Sequence, residues 1–156
     1  MCGYARVVDL PQLWAELESR WPESIIDPSL TRIVSVMELL GDPQRAYPVI
    51  QVAGTNGKTS TARMIESVLR AYGLRTGLFT SPHLVDARER IRLDGEPVTA
   101  ERLLDTWNDI EPYARLVDKN STDAGGVPLS YFEVITSLAY AAFADTPVDV
   151  AIIEVG

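Results

Sequence analysis

The sequence predicts an α/β fold in which a parallel sheet is flanked by helices. Three short apolar segments, "YPVIQVAG", "LRTGLFT" and "VDVAIIEVG", have the composition of buried strands and alternate with segments of helical periodicity. This alternation is typical of parallel sheets, because a parallel connection must cross over the sheet. With 156 residues, 46% of them hydrophobic and 23% charged, the chain has the size and composition of a globular domain.

Residues 1–47 are predicted to form a helical lead-in to the sheet. Two helices are expected, because apolar residues recur at the i, i+3, i+4, i+7 spacing of a buried helix face. In the second helix, Asp27 and Pro28 are a start signal and Gly41 is an end signal. The apolar positions are Leu10, Leu13, Trp14 and Leu17, then Leu30, Ile33, Val34, Met37 and Leu40.

Residues 48–156 are predicted to form the α/β core. A strand over 48–53 leads into a helix over 58–72, whose buried face carries Ala62, Ile65, Val68, Leu69 and Tyr72. The remaining elements are a strand over 74–80, a hairpin turning at Asp94-Gly95, a helix over 100–117 disturbed at Pro112, a polar loop over 118–128, the buried helix "SYFEVITSLAYAAF" and a final strand.

The chain ends on this third core strand, without a crossover helix after it. Three core strands are fewer than such sheets usually contain. The sheet is therefore expected to be truncated on its C-terminal side, within a longer protein.

Charge and composition argue against several partners. The net charge of −8 disfavours a nucleic-acid partner, which would require a basic face. No segment approaches the roughly 18 apolar residues of a membrane span, and the first twenty residues are too charged for a signal peptide. Cys2 is the single cysteine and cannot form an internal disulfide. We therefore predict a cytoplasmic protein with neither nucleic-acid nor membrane partner.

The segment "AGTNGKTS" at 53–60 joins a predicted strand to a predicted helix. Backbone N–H groups at such a helix start can point at a phosphate, and a lysine there neutralises its charge. Gly57 and Lys58 fit these roles. The match to the usual P-loop template is incomplete, because its first glycine would fall at Val52 and Gly54 comes two residues late. The alternative is an ordinary turn with a surface lysine.

Several motifs in order resemble one family. "AGTNGKTS" is similar to the shortened phosphate loop of the Mur ligase superfamily. With "SPHL", "ERIR", "LSYFE" and "DVAIIEVG" following it, the chain resembles the N-terminal part of the folylpolyglutamate synthases, including their bifunctional dihydrofolate synthase form. The resemblance implies the N-terminal part of a Mur ligase-like, ATP-binding central domain, with the family's C-terminal domain absent from this chain.

The resemblance also implies a reaction. Such enzymes are ligases that use ATP to convert a carboxylate into an acyl phosphate, which the amine of L-glutamate then attacks. The implied substrates are dihydropteroate, reduced folates and L-glutamate, the implied cofactors are ATP and Mg²⁺, and the implied full-length enzyme is a monomer. The shared motifs leave open whether dihydrofolate synthase activity, folylpolyglutamate synthase activity or both are present.

The family's functional positions carry over to this sequence residue by residue. Those implied for ATP are Gly54, Thr55, Asn56, Gly57, Lys58, Thr59 and Ser60, with Lys58 on the transferring phosphate. Thr59 departs from the family, where glycine is common. Those implied for the metal are Ser81 and Glu154. Those implied or expected for substrate are Ile25, Ile26, Asp27, Pro28, Ser130, Tyr131, Phe132 and Glu133 on the pterin side, with His83 and Arg90 near the folate's glutamate tail.

Each of these positions also has a simpler interpretation. Ser81 fits a Ser-Pro turn, Glu154 a solvated strand end, Phe132 core packing and Asp27 a helix cap. Two functional alternatives also stay open, namely another P-loop phosphoryl-transfer protein such as a small kinase, and a different Mur-type ligase. For these 156 residues alone, a fragment without turnover is expected.

Overall fold

A computed structural model describes residues 9–21, 29–83 and 85–155. The chain forms two compact units. The first, called the helical unit below, comprises Met1–Asp42 and Ala100–Ala141, and the second, called the sheet unit, comprises Pro43–Thr99 and Ala142–Gly156. Within the described residues, no helix combines the length and the hydropathy that crossing a bilayer requires.

The sheet unit is built on a five-stranded sheet with the order β1-β5-β2-β3-β4. Its strands are β1 (Val49–Val52), β2 (Thr76–Phe79), β3 (Ile91–Leu93), β4 (Glu96–Pro97) and β5 (Val150–Glu154). β5 lies between β1 and β2 and runs parallel to both. β3 pairs antiparallel with β2, and β4 pairs antiparallel with β3. The predicted core strands and the hairpin at Asp94-Gly95 are therefore confirmed, in a mixed α/β sheet.

Helix α3 (Lys58–Ala71) follows β1 and packs on the sheet. Ala62 is fully buried against Val52, Leu78 and Ile152, with Ile65 and Leu69 packed around them. The prediction that Val68 and Tyr72 also lie in this core is wrong, because 56% and 82% of their surfaces are exposed. Three positions four residues apart, Met64, Val68 and Tyr72, thus share an exposed side of α3.

The hairpin formed by β3 and β4 is tied to α3 by a buried carboxylate. Glu66 accepts the backbone N–H of Gly95 at 3.1 Å, and Arg92 Nε lies 3.9 Å from the same carboxylate. Burial raises the pKa of Glu66, while the charge of Arg92 acts in the opposite direction. The hairpin is therefore anchored to the helix that begins at the glycine loop.

The helical unit contains α1 (Leu10–Glu18), α2 (Thr31–Leu39) and α4 (Ala100–Asp123), and α5 (Tyr131–Asp145) contributes residues to both units. The predicted start of α2 is wrong, since Leu30 is its N-cap and the Ser29 hydroxyl accepts the N–H of Thr31. Asp27 and Pro28 lie outside the described residues.

Helix α4 differs most from its prediction. It passes through Pro112 and ends six residues later than expected, so Asp118–Asp123 is helical rather than part of the polar loop. A proline inside a helix removes one hydrogen-bond donor. The buried positions Leu103, Trp107, Ile110, Ala114 and Val117 continue at helical spacing across it. Burial of this stripe offsets the single lost backbone bond.

Candidate functional site

The glycine loop of residues 53–57 leaves the carboxyl end of β1 and enters α3. Gly57 is the N-cap of α3 with φ of 73°, a left-handed conformation that glycine adopts without strain. No side chain caps this helix end. The first backbone N–H groups of a helix lack intrahelical acceptors, and the helix dipole is positive there. The loop and the first turn of α3 thus form an uncapped anion-binding end, with Gly54, Thr55, Asn56, Gly57 and Ser60 exposed.

Lys58 lies at the mouth of this loop. Its Nζ donates to the backbone carbonyl of Gly54 at 2.8 Å, within the loop itself. This contact folds the ammonium group back over the residues that would surround a phosphate. An incoming anion can therefore replace this neutral carbonyl as the partner of the Lys58 ammonium group, and no ion pair has to break.

Glu154, at the end of β5, contacts both the first turn of α3 and the segment that follows β2. It is the last residue of β5, pairs in register with Val52 of β1, and is only 3% exposed. Thr59 Oγ1 donates to its carboxylate, with both oxygens at 2.9 Å, and the backbone N–H of Ser81 lies 3.4 Å from Oε2. Carboxyl ends of parallel strands are where open α/β sheets bind ligands. The two predicted metal residues, Ser81 and Glu154, therefore meet beside the glycine loop.

The chemistry of this cluster suits a hard divalent cation. Among the described residues, Glu154 accepts hydrogen bonds from neutral donors, so its buried carboxylate lies beside the first turn of α3 without a lysine or arginine on it. In the same ranges, no three His, Cys, Asp or Glu side chains gather as metal ligands. Magnesium commonly uses one or two carboxylates and takes its other ligands from phosphate and water. Glu154 fits that pattern as the single carboxylate, and Thr59 and Ser81 are the hydroxyl-bearing residues beside it.

His83 and Arg90 lie on the segment that follows Ser81. Arg90 Nε donates to Nδ1 of the half-buried His83 at 2.9 Å, and Arg90 itself is 5% exposed. The turn before Arg90 is closed by a capping box, in which Asp86 accepts the N–H of Arg88 and Glu89 Oε1 accepts the N–H of Asp86. A side-chain hydrogen bond from Arg88 lowers the pKa of Asp86.

The four predicted pterin contacts at 130–133 belong to the helical unit, at the start of α5. Ser130 and Glu133 form a capping box, because the Ser130 hydroxyl accepts the N–H of Glu133 at 3.1 Å and Glu133 Oε2 accepts the N–H of Ser130 at 2.7 Å. Phe132 is 37% exposed, which contradicts the core-packing alternative. Tyr131 is half-buried, and its N–H donates to the carbonyl of Trp21 at 3.3 Å.

Glu133 also has a partner that the sequence did not reveal. Arg32 Nε donates to its two carboxylate oxygens at 3.2 Å each, and the Arg32 guanidinium lies 5.3 Å from the ring centroid of Trp21. The capping box was visible in the sequence as the spacing Ser-x-x-Glu. The ion pair was not, because its partners are 101 residues apart. The other predicted pterin contacts, Ile25 to Pro28, lie outside the described residues.

Known proteins resemble this chain over nearly its whole length. It is 52% identical over 153 residues to the dihydrofolate synthase/folylpolyglutamate synthase of Mycobacterium tuberculosis, covering 96% of this chain and 31% of the relative. The folylpolyglutamate synthase of the same organism complexed with ADP superposes with a TM-score of 0.88 at 51% identity, covering 94% of this chain and 32% of that one. No protein-family model matches the chain.

A third comparison is more distant in sequence. A folylpolyglutamate synthase complex with AMPPCP and folate superposes with a TM-score of 0.86 at 35% identity, over 96% of this chain and 35% of that one. The chain thus spans about a third of the length of the relatives it matches. By sequence and by fold, the chain is a homologue of the folylpolyglutamate synthase and dihydrofolate synthase family.

Proposed function

We propose that the protein containing this chain is an ATP-dependent ligase that joins L-glutamate to dihydropteroate, to reduced folates, or to both. The chain contributes the N-terminal part of the ATP-binding central domain and the phosphate side of its active site. One observation carries the proposal, namely that the uncapped end of α3 and the buried Glu154 carboxylate lie side by side, joined by the hydrogen bond from Thr59. This arrangement offers a phosphate and a magnesium ion adjacent positions.

The residues of the glycine loop supply most of the chemistry. Backbone N–H groups at Lys58, Thr59 and Ser60 bind phosphate oxygens, and the lysine exchanges its bond with Gly54 for one with the transferring phosphate. Glu154 and Ser81 would hold magnesium, which would supply positive charge against the charge that develops on the phosphate during transfer. The relatives' complexes with ADP and with AMPPCP support nucleotide binding by the protein that contains this chain.

The substrate side of the site stays a prediction. Ser130, Tyr131 and Phe132 are proposed to contact the pterin, together with the segment from Ile25 to Pro28. Glu133 is retained as a candidate for the donor edge of the ring, although it already holds Arg32. His83 and Arg90 are retained as candidates for the glutamate tail. A cytoplasmic location and a monomeric full-length enzyme also remain predictions.

Phosphate release from MgATP tests the reaction class. The longest clone containing this chain should release phosphate only when L-glutamate is present together with dihydropteroate or tetrahydrofolate. Lys58→Ala should abolish the release. Lys119→Ala, which removes the other lysine of the sequence, an exposed residue on α4, should not. Dependence on dihydropteroate identifies dihydrofolate synthase activity, and dependence on tetrahydrofolate identifies chain extension. Release that ignores every pterin would reject the folate reaction in favour of another P-loop phosphoryl-transfer protein or Mur-type ligase.

The 156 residues alone can be tested separately. We expect them to bind MgADP without catalysing turnover, and to lose that binding in Lys58→Ala. Isothermal titration calorimetry measures this directly. Absence of binding by the unsubstituted chain would show that the phosphate side needs residues that this chain lacks.

A further inference from the structure

Arg90 contacts both ends of the segment that carries Ser81. At one end, its backbone carbonyl accepts the N–H of Thr80 at 3.0 Å, just after β2 ends. At the other end, its Nε donates to His83 Nδ1 at 2.9 Å. The four residues from Thr80 to His83 are therefore held across their span by a single buried residue, with Ser81 inside. We call this arrangement the Arg90 clamp.

The chemistry of the clamp is specific to arginine and histidine. Guanidinium presents fixed, planar N–H donors, whereas the ammonium of a lysine cannot place a donor in the same geometry. A ring nitrogen that accepts a hydrogen bond carries no proton, so the geometry assigns the proton of His83 to Nε2. His83 is thereby fixed as one tautomer and in one orientation.

The residue that makes these contacts is itself held rigidly. Arg90 ends the short 3₁₀ helix Ala87–Arg90, whose start is closed by the capping box of Asp86 and Glu89, and it leads directly into β3. Ser81, in turn, directs its N–H at the buried carboxylate of Glu154 at 3.4 Å. A displacement of the clamp would therefore change the position of Ser81 relative to Glu154.

We propose that Arg90 is a positioning residue, which holds Ser81 in place for magnesium by clamping Thr80 and His83. The proposal rests on the proposed function, in which Ser81 and Glu154 bind the metal. Groups that orient metal ligands without touching the metal typically change metal affinity by about 10- to 100-fold when removed. In this role Arg90 affects the metal site through Ser81, which is distinct from the substrate contact at the glutamate tail for which it is also a candidate.

The clamp itself can be tested without nucleotide, because the sequence contains a single histidine. ¹⁵N-detected NMR of its imidazole should show the Nε2–H tautomer, with Nδ1 as a hydrogen-bond acceptor. Arg90→Met should remove the acceptor signature of Nδ1, and Arg90→Lys should fail to restore it. Arg75→Met is the matched control, because Arg75 is exposed and pairs with Asp149 instead. An unsubstituted chain with the proton on Nδ1, or an unchanged spectrum in Arg90→Met, overturns the clamp.

The functional part is tested by titrating Mg²⁺ against nucleotide binding. Arg90→Met and His83→Phe should each raise the half-saturating Mg²⁺ concentration by about tenfold or more, and the double variant should be no worse than either. Arg75→Met should leave it unchanged. Arg90 is a substrate contact rather than a positioning residue if Arg90→Met keeps the Mg²⁺ dependence and changes only the KM for a polyglutamylated folate. If the longest clone containing this chain binds no nucleotide without any substitution, the proposed function fails, and with it the metal-positioning role, while NMR still decides whether the clamp exists.

Discussion

Replacing Glu133 should destabilise the helical unit, because this carboxylate serves two structural contacts. The pair with Arg32 is buried, with the side chains 8% and 12% exposed. Removing one charge of a buried pair costs about 3–5 kcal/mol. The long 3.2 Å contacts, and the contact of Arg32 with Trp21 that the substitution leaves in place, put the expected cost of Glu133→Gln at the lower end, about 3 kcal/mol.

A second variant separates the ion pair from the helix cap. Glutamine can still accept the N–H of Ser130, as the third residue of a capping box does. Glu133→Ala loses that contact as well and should cost about 1 kcal/mol more than Glu133→Gln. Arg32→Met in the Glu133→Gln background should recover part of the loss, because the buried guanidinium that had paired with Glu133 is then removed as well.

Urea unfolding followed by far-UV circular dichroism measures these differences. With a slope of about 2 kcal/mol per molar urea, a loss of 3 kcal/mol lowers the midpoint by about 1.5 M. Glu38→Gln, at an exposed position on α2, is the control and should change the unfolding free energy by less than about 0.5 kcal/mol. A midpoint for Glu133→Gln within error of the control would refute the reasoning and leave Glu133 available for a purely substrate-binding role.

Three further outcomes are expected in the sheet unit. Gly77→Ala should lower the free energy of unfolding in urea by about 1–2 kcal/mol, because a Cβ there would lie 2.7 Å from the ring of Phe143. The same substitution in a Phe143→Leu background should lower it by less. An equal loss in that background would exclude the clash. Thr59→Val, measured without magnesium, should lower the free energy of unfolding by about 1.5–3 kcal/mol, because the hydroxyl donates to the buried carboxylate of Glu154. Thr59→Ser keeps the hydroxyl and should lower it little. Equal losses in the two variants would contradict the hydrogen-bond explanation. Burial raises the pKa of Glu66 above its unfolded value, so its protonated form stabilises the fold at low pH, and this contribution disappears as pH rises through the folded pKa. Glu66→Gln should therefore gain stability relative to wild type between pH 4 and pH 8. Unfolding free energies of the two proteins that follow parallel curves against pH would reject this explanation.

The phosphate side of the site was predictable because its signals are local. A glycine before a lysine, an apolar strand before them and an amphipathic helix after them lie within about twenty residues, and the structure has the same order at β1, Gly57 and α3. Glu154 was assigned to the metal by the resemblance, and its place at the carboxyl end of an apolar strand, the usual ligand edge of a parallel sheet, agrees with that assignment. Short-range patterns therefore predicted the strand, the glycine turn and the helix that form the anion-binding end.

The errors arise where long-range contacts decide the outcome. Val68 and Tyr72 fit the apolar face of α3 by periodicity, but the sheet beneath covers only the part around Ala62, Ile65 and Leu69. Pro112 suggested a disturbed helix, although the buried stripe beyond it continues α4. The pairs of Arg32 with Glu133 and of Arg90 with His83 depend on side-chain placement that spacing alone does not reveal.

The division into two units determines what an optical experiment on this chain will report. All three tryptophans of the sequence, Trp14, Trp21 and Trp107, belong to the helical unit, so the sheet unit contains no indole. Intrinsic tryptophan fluorescence therefore follows the helical unit, whereas circular dichroism averages over the whole chain. If the two curves coincide during unfolding, the units melt together; if they separate, the phosphate-binding half has a stability of its own that fluorescence cannot see. A tryptophan placed at the exposed Tyr72 would give that half its own emission signal.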